Sequence, residues 1–171
     1  LLDESESDVT KKLLIFDADQ TRGTAMRECL AERFFMFDVV SCCDEGSFIA
    51  TVKENFEDVL LISLFHDIVT RSSPSGAWPE PGPGFEILDL LGHWEASFAL
   101  ILHSTDNRNN LPAYEALKAK GWRVELQSPV KRLDQVRTEW FPLARKWILE
   151  TAAAPARDQT KKAATELDIP G

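Results

Sequence analysis

The chain has 171 residues, 44% apolar and 27% charged, enough for one domain with a sizeable core. Its net charge of -9 argues against a nucleic-acid-binding face, because neutralising phosphates takes clustered Lys and Arg. No apolar run approaches the roughly 20 residues of a membrane span, so no membrane partner is expected. Residues 1–10 form an acidic tail without the regions of a signal peptide. With no initiator Met, the start is expected to be a fragment boundary. The three cysteines, Cys29, Cys42 and Cys43, are odd in number with two adjacent. That is a poor disulfide framework and suits a reducing cytoplasmic setting. None has zinc-ligand spacing with a histidine, and no metal or cofactor is expected.

Lys12 to Asp17 is a short apolar run ending in acid, a buried strand. Met26, Leu30 and Phe34 recur at spacing four and predict a helix from about Thr24. Phe37 to Val40 is a second strand. Asp44 or Ser47 caps the next helix, with Phe48, Ile49, Val52 and Phe56 facing inward. Val59-Leu60-Leu61-Ile62-Ser63-Leu64 is a third strand, apolar throughout, as expected of one covered on both faces. Residues 70–84 are rich in Pro and Gly, which predicts a long loop without regular structure. Phe85 to Leu91 resumes as a helix stopped by Gly92.

Phe98 to His103 is the fourth strand. Asn110 starts a helix carrying Leu111, Tyr114 and Leu117, with Pro112 in its first turn and Gly121 at its end. Trp122 to Leu126 alternates and is the fifth strand. Leu133, Val136, Trp140, Leu143, Trp147 and Ile148 follow at helical spacing, with a kink or break expected at Pro142. Residues 150–171 are Ala-rich and charged and read as a linker or tail, leaving 11–149 as the domain.

Five strand–helix units with apolar strands imply a parallel sheet between helices. Reactive groups in such sheets gather beyond the carboxyl ends of the strands. The residues expected there include Asp17, Asp19, Ser63, His66, Asp67, His103, Ser104, Asn107 and Ser128.

These units and strand ends resemble a response-regulator receiver of two-component signalling over about residues 11–149. The resemblance implies a flavodoxin-like three-layer α/β fold with strand order 2-1-3-4-5 and helices on both faces. It also implies two acids after the first strand that bind Mg, a phosphate-accepting Asp ending the third, a Thr or Ser ending the fourth, and a Lys-Pro pair after the fifth. Here Asp17 matches the first acid, but Ala18 stands at the second and Asp19 comes one residue late. Ser63 replaces the acceptor, and His103 sits at the Thr or Ser position. Ser128-Pro129 replaces Lys-Pro, keeping a proline that suggests a cis peptide. Asp17, Asp19, Ser63, His103 and Ser128 thus outline a degenerate phosphorylation pocket. The expected role is signalling by protein contacts without phosphorylation.

A narrower stretch is similar to the cyclic-phosphate-processing receiver family. Ile62-Ser63-Leu64-Phe65-His66-Asp67-Ile68 and Ile101-Leu102-His103-Ser104-Thr105-Asp106-Asn107 carry the likeness. Phe65 departs from it, since that family has an acid there. This similarity implies an alternative, a phosphoesterase or nucleotide-binding domain using His66, Asp67, His103 and Ser104. Two histidines at adjacent strand ends can serve as acid and base on a phosphodiester. Trp78, in the Pro/Gly segment, would then cover the pocket as part of a lid.

Blander roles stand beside these. Asp19 is also a helix cap, Ser63 a small polar filler, and Asn107, Asn109 and Asn110 a turn cluster. His93 reads as an ordinary helix-end residue, and Lys131 as a solvated helix-start residue able to replace the missing Lys. The partner surface implied by the receiver resemblance is the face of the fourth helix, fifth strand and fifth helix. It carries Lys118, Lys120, Arg123, Arg137, Arg145 and Lys146. An acidic protein surface, including that of a second copy, is the partner expected there.

Overall fold

The first strand, β1 (Lys12–Phe16), enters the middle of a parallel sheet and is flanked by β2 (Asp38–Cys42) and β3 (Val59–Phe65). β6 (Ala99–His103) pairs with β3, and β7 (Arg123–Leu126) with β6, all parallel. The order β2-β1-β3-β6-β7 is therefore 2-1-3-4-5 counted over the core strands, as expected. The structure is a computed structural model and describes residues 9–73, 76–106, 108 and 110–153.

Helices α1 (Gln20–Arg33), α2 (Glu45–Asn55), α3 (Phe85–His93), α4 (Leu111–Ala119) and α5 (Phe141–Ala153) connect or follow the strands. Side-chain alternation along the strands splits the core into two layers. On one face Leu14, Phe16, Ile62, Leu64, Leu100 and Leu102 pack with residues of α2, α3 and α4, among them Phe48, Val52, Ile87, Leu91 and Leu117. On the other, Leu13, Ile15, Leu61, Ala99 and Ile101 meet Met26 and Leu30 of α1 and Ala144 and Ile148 of α5. Burying a Leu, Ile or Phe side chain contributes about 1.5–3 kcal/mol. The apolar content of β3, whose seven residues are all buried, is what places it at the centre.

Several boundaries differ from expectation. α1 begins at Gln20, four residues before Thr24, because Asp19 caps it and its first turn is polar. Asp44, not Ser47, caps α2, accepting from the Ser47 amide at 2.8 Å. α3 passes through Gly92 to His93, and the Gly92 carbonyl accepts from Lys120 Nζ. Gly121 does close α4, with φ +88°.

The largest correction concerns residues 70–84. Much of that segment is an antiparallel ribbon, β4 (Ile68–Ser73) with β5 (Gly76–Pro81), in register Arg71 with Trp78. Both strands of a two-stranded ribbon are edges, where proline is tolerated. Pro79 and Pro81 are two apart, so their missing donors fall on one edge of β5. The expected lid role of Trp78 concerns a side chain outside the described part of the structure.

No described peptide bond is cis, so Ser128–Pro129 is trans, the cheaper isomer and a second correction. The irregularity expected at Pro142 is present as a π-helical turn, Val136–Trp140, leading directly into α5. Asn107, Asn109 and residues 154–171, most of the expected tail, lie outside the described residues. No helix is long and apolar enough to cross a membrane among the described residues.

Candidate functional site: a buried polar chain at the carboxyl end of the sheet

Asp17 follows β1, Ser63 lies within β3, and His103 ends β6. All three point to the α1/α5 side, because they continue the alternation of Leu13, Ile15, Leu61 and Ile101. Each is at most 1% exposed. They are joined in one hydrogen-bonded chain. His103 Nε2 meets Asp17 Oδ2 at 3.1 Å, and His103 Nδ1 meets Ser63 Oγ at 3.0 Å.

Two residues that sequence reasoning did not assign to the site complete the chain. Arg22, in the first turn of α1, holds Asp17 by two parallel bonds, Nε to Oδ2 at 2.6 Å and Nη2 to Oδ1 at 2.7 Å. Such a fork is the strong geometry for an arginine–carboxylate pair. At the other end Trp140 donates its indole N–H to Ser63 Oγ at 2.9 Å. The directions are consistent throughout. Trp140 donates to Ser63, Ser63 donates its hydroxyl proton to His103 Nδ1, and His103 donates from Nε2 to Asp17.

A signal for each missed residue exists in the sequence. A strand-end acid needs a counter-charge, and Arg22 is the first cation after Asp17. A buried tryptophan needs an acceptor for its N–H.

Burial alone would raise the pKa of Asp17. The hydrogen bonds from His103 and Arg22 outweigh it, and the carboxyl lies below its usual range. Asp19 is exposed and serves two local purposes. Its amide donates to Asp17 Oδ1 at 2.8 Å, and its carboxylate caps α1 through the Arg22 amide at 3.1 Å. Phe65, at the position where the similar family has an acid, lies under the Arg22 guanidinium, whose carbon is 4.8 Å from its ring centre.

The remaining candidates have side-chain partners outside that chain. His66 follows the last residue of β3, and its ring Nδ1 meets the Pro83 carbonyl at 3.1 Å, at the base of the ribbon. Burial pulls its imidazole below the ordinary value, against the opposing effects of the Pro83 carbonyl and Asp67. Asp67 accepts from Thr105 Oγ1 at 2.9 Å, and Ser104 Oγ accepts from the Asp106 amide at 3.1 Å. Ser128 and Lys131 are exposed. The structure thus joins Asp17, Ser63 and His103, with Asp19 beside them. The two nitrogens of the His103 ring are engaged by Asp17 and Ser63, while the His66 amide donates to the His103 carbonyl at 3.1 Å.

The donor set does not suit the Mg ion that a receiver site implies. Mg asks for near-octahedral oxygen ligation. Here Ala18 offers no side-chain oxygen, both Asp17 oxygens are taken by Arg22, and the Ser63 hydroxyl is shared between Trp140 and His103. Among the described residues no group of three or more His, Cys, Asp and Glu side chains is arranged to hold a metal ion. A cleft of about 480 Å³ opens on the opposite side of the strand end, lined by Ala18, Cys43, Glu45, Pro83 and Phe85 among others. Glu45 there reaches across from α2 and accepts the Glu86 amide at 2.9 Å, satisfying the start of α3.

No protein-family model matches the sequence, and no curated protein sequence matches it significantly. The three-dimensional comparison defines the class of fold: it is that of CheY-like response-regulator receiver domains. The chain is similar to the phosphorylated cyanobacterial phytochrome response regulator RcpA, with TM-score 0.59 and 15% identity over 86% of this chain and 100% of that one. It is also similar to the response regulator domain of Thermotoga maritima CheB, with TM-score 0.58 and 14% identity over 86% and 100%. A CheY-like receiver domain from Methanospirillum hungatei JF-1 aligns with TM-score 0.55 and 14% identity over 84% and 98%.

Proposed function

We propose that this domain is a receiver-fold signalling module that takes no phosphoryl group and acts through protein contacts. The observation that carries this is the seating of Arg22 on both oxygens of Asp17, inside a chain that also consumes His103 and Ser63. A receiver needs a cation there to neutralise phosphoryl oxygens and a carboxylate nucleophile at the end of β3. This chain supplies an internal guanidinium in place of the first and a buried serine in place of the second.

The contact surface proposed is the face of α4, β7 and α5, in a cytoplasmic setting. Its cations are partly paired at home: Lys146 with Glu125 at 3.5 Å and Arg137 with Glu32 at 3.3 Å. The partner is an acidic protein surface, including one on a second copy, and an attraction of that kind is screened by salt. The phosphoesterase alternative draws no support from the hydrogen bonding of His66 and His103.

The test is incubation with acetyl phosphate, and separately with beryllofluoride and Mg, followed by intact mass and amide NMR spectra. Neither treatment is expected to change them. A stoichiometric adduct on Asp17 or Asp19 would overturn the reading.

A further inference from the structure

The buried chain ends on backbone at one side and on a helix at the other. Arg22 Nη1 donates to the Val130 carbonyl at 3.3 Å, in the segment after β7. Trp140 reaches Ser63 from the last residue of the π turn. The two grips therefore bracket residues 130–140.

A π turn is uncommon and marks strain or function. Part of its cause is local. Pro142 has no N–H for the carbonyl four residues back, and its ring crowds that carbonyl in a regular helix. The Phe141 amide instead reaches the Val136 carbonyl, five residues back. Proline alone does not select this solution, since a break or kink would also relieve it. The anchoring of Trp140 does. Val136 and Trp140, with Ala144 and Ile148 of α5, are all at most 1% exposed and pack on one face of the sheet. Relaxing the turn to α geometry would rotate the chain on its two sides by about 100° relative to each other. Trp140 and the segment carrying Val130 could not then both keep their partners. An indole N–H and a serine acceptor would be left unpaired in a dry interior, which is costly.

We infer that the Arg22–Asp17–His103–Ser63–Trp140 chain is an internal latch that holds α5 in its π-bulged register. The outer surface of α5, with exposed Arg145 and Lys146, is thereby presented in one state without any ligand. The inference rests on the proposed function and deepens it by naming what holds that face in place. The two fail separately, because phosphorylation is read by mass and the latch by exchange.

The test is amide hydrogen exchange on the whole chain with Ser63→Ala, which removes the acceptor, and Trp140→Phe, which removes the donor. Leu117→Ala, in the opposite core layer, is the control for general loss of stability. Amides of residues 136–141 are expected to exchange at least about tenfold faster in both latch variants, beyond any change in β1, β3 and β6. If the increase at 136–141 is no larger than in Leu117→Ala at matched global stability, the latch is overturned. Should Ser63→Ala not fold, Trp140→Phe decides by the same criterion.

Discussion

Replacing Arg22 with Met keeps the apolar stem of the side chain and removes its charge from Asp17. The side chains of the pair are 9% and 0% exposed. Breaking one partner out of a buried ion pair typically costs about 3–5 kcal/mol, because the other charge is left uncompensated. Asp17 would retain the His103 ring and the Asp19 amide as donors. The cost should therefore fall near the lower end, about 3 kcal/mol at pH 7. With a urea slope of about 1–3 kcal/mol per molar, the unfolding midpoint moves down by about 1–3 M. The assay is urea unfolding followed by tryptophan fluorescence and far-ultraviolet circular dichroism, whose coincidence checks two-state behaviour.

The pH dependence gives the sign. Asp17 lies below its ordinary 3.8 in the folded chain, so its stabilisation is fully present above 3.8 and is lost as pH falls through the folded value. The gap between wild type and Arg22→Met should narrow below pH 3.8. Combining Arg22→Met with Asp17→Asn should cost less than the sum of the single changes, since the two residues are coupled. A cost under about 1 kcal/mol at pH 7, the level of an exposed ion pair, would refute a guanidinium seated on Asp17.

Gly84 has φ +88°, and a Cβ there would stand 2.2 Å from the Phe65 carbonyl oxygen. Gly84→Ala should cost more than about 2 kcal/mol, whereas Gly121→Ala, at the same φ but in open space, should cost only about 1–2 kcal/mol in urea unfolding. His66 is held below its ordinary 6.5 by burial, so the unfolded chain binds more protons there. Stability should decline as pH falls from 6.5 towards the folded value, and His66→Gln should flatten that slope. An unchanged slope would mean that His66 is not desolvated.

The candidate site was legible only by position. Asp17, Ser63 and His103 end or approach the ends of apolar runs, and the order of the strands brings such ends together. Their companions left only a weak signal, because Arg22 and Trp140 belong to helical patterns in which one reads as a surface cation and the other as core. His66 and His103 do lie side by side along the backbone, the His66 amide donating to the His103 carbonyl at 3.1 Å, while their rings bond different groups. Both stand beside a strand end, but the sequence does not state where β3 stops. The structure ends β3 at Phe65, and the chain turns there into the ribbon, so the His66 ring meets Pro83. The ribbon itself was hidden because proline and glycine argue against strands in general, while a two-stranded edge tolerates both.

By itself the sequence determined the sheet, its layers and which residues stand at the strand ends. Apolar periodicity and strand-helix alternation are local, and so is the identity of the residues at 18 and 63. Only the tertiary structure decided which partners those strand-end side chains find. A hydrogen bond between Ser63 and Trp140, or an ion pair aimed by the first turn of α1, depends on side-chain direction across elements far apart in the chain. That direction is set when the core layers close, because a buried charge or indole must find a partner among whatever groups the packing brings within about 3 Å.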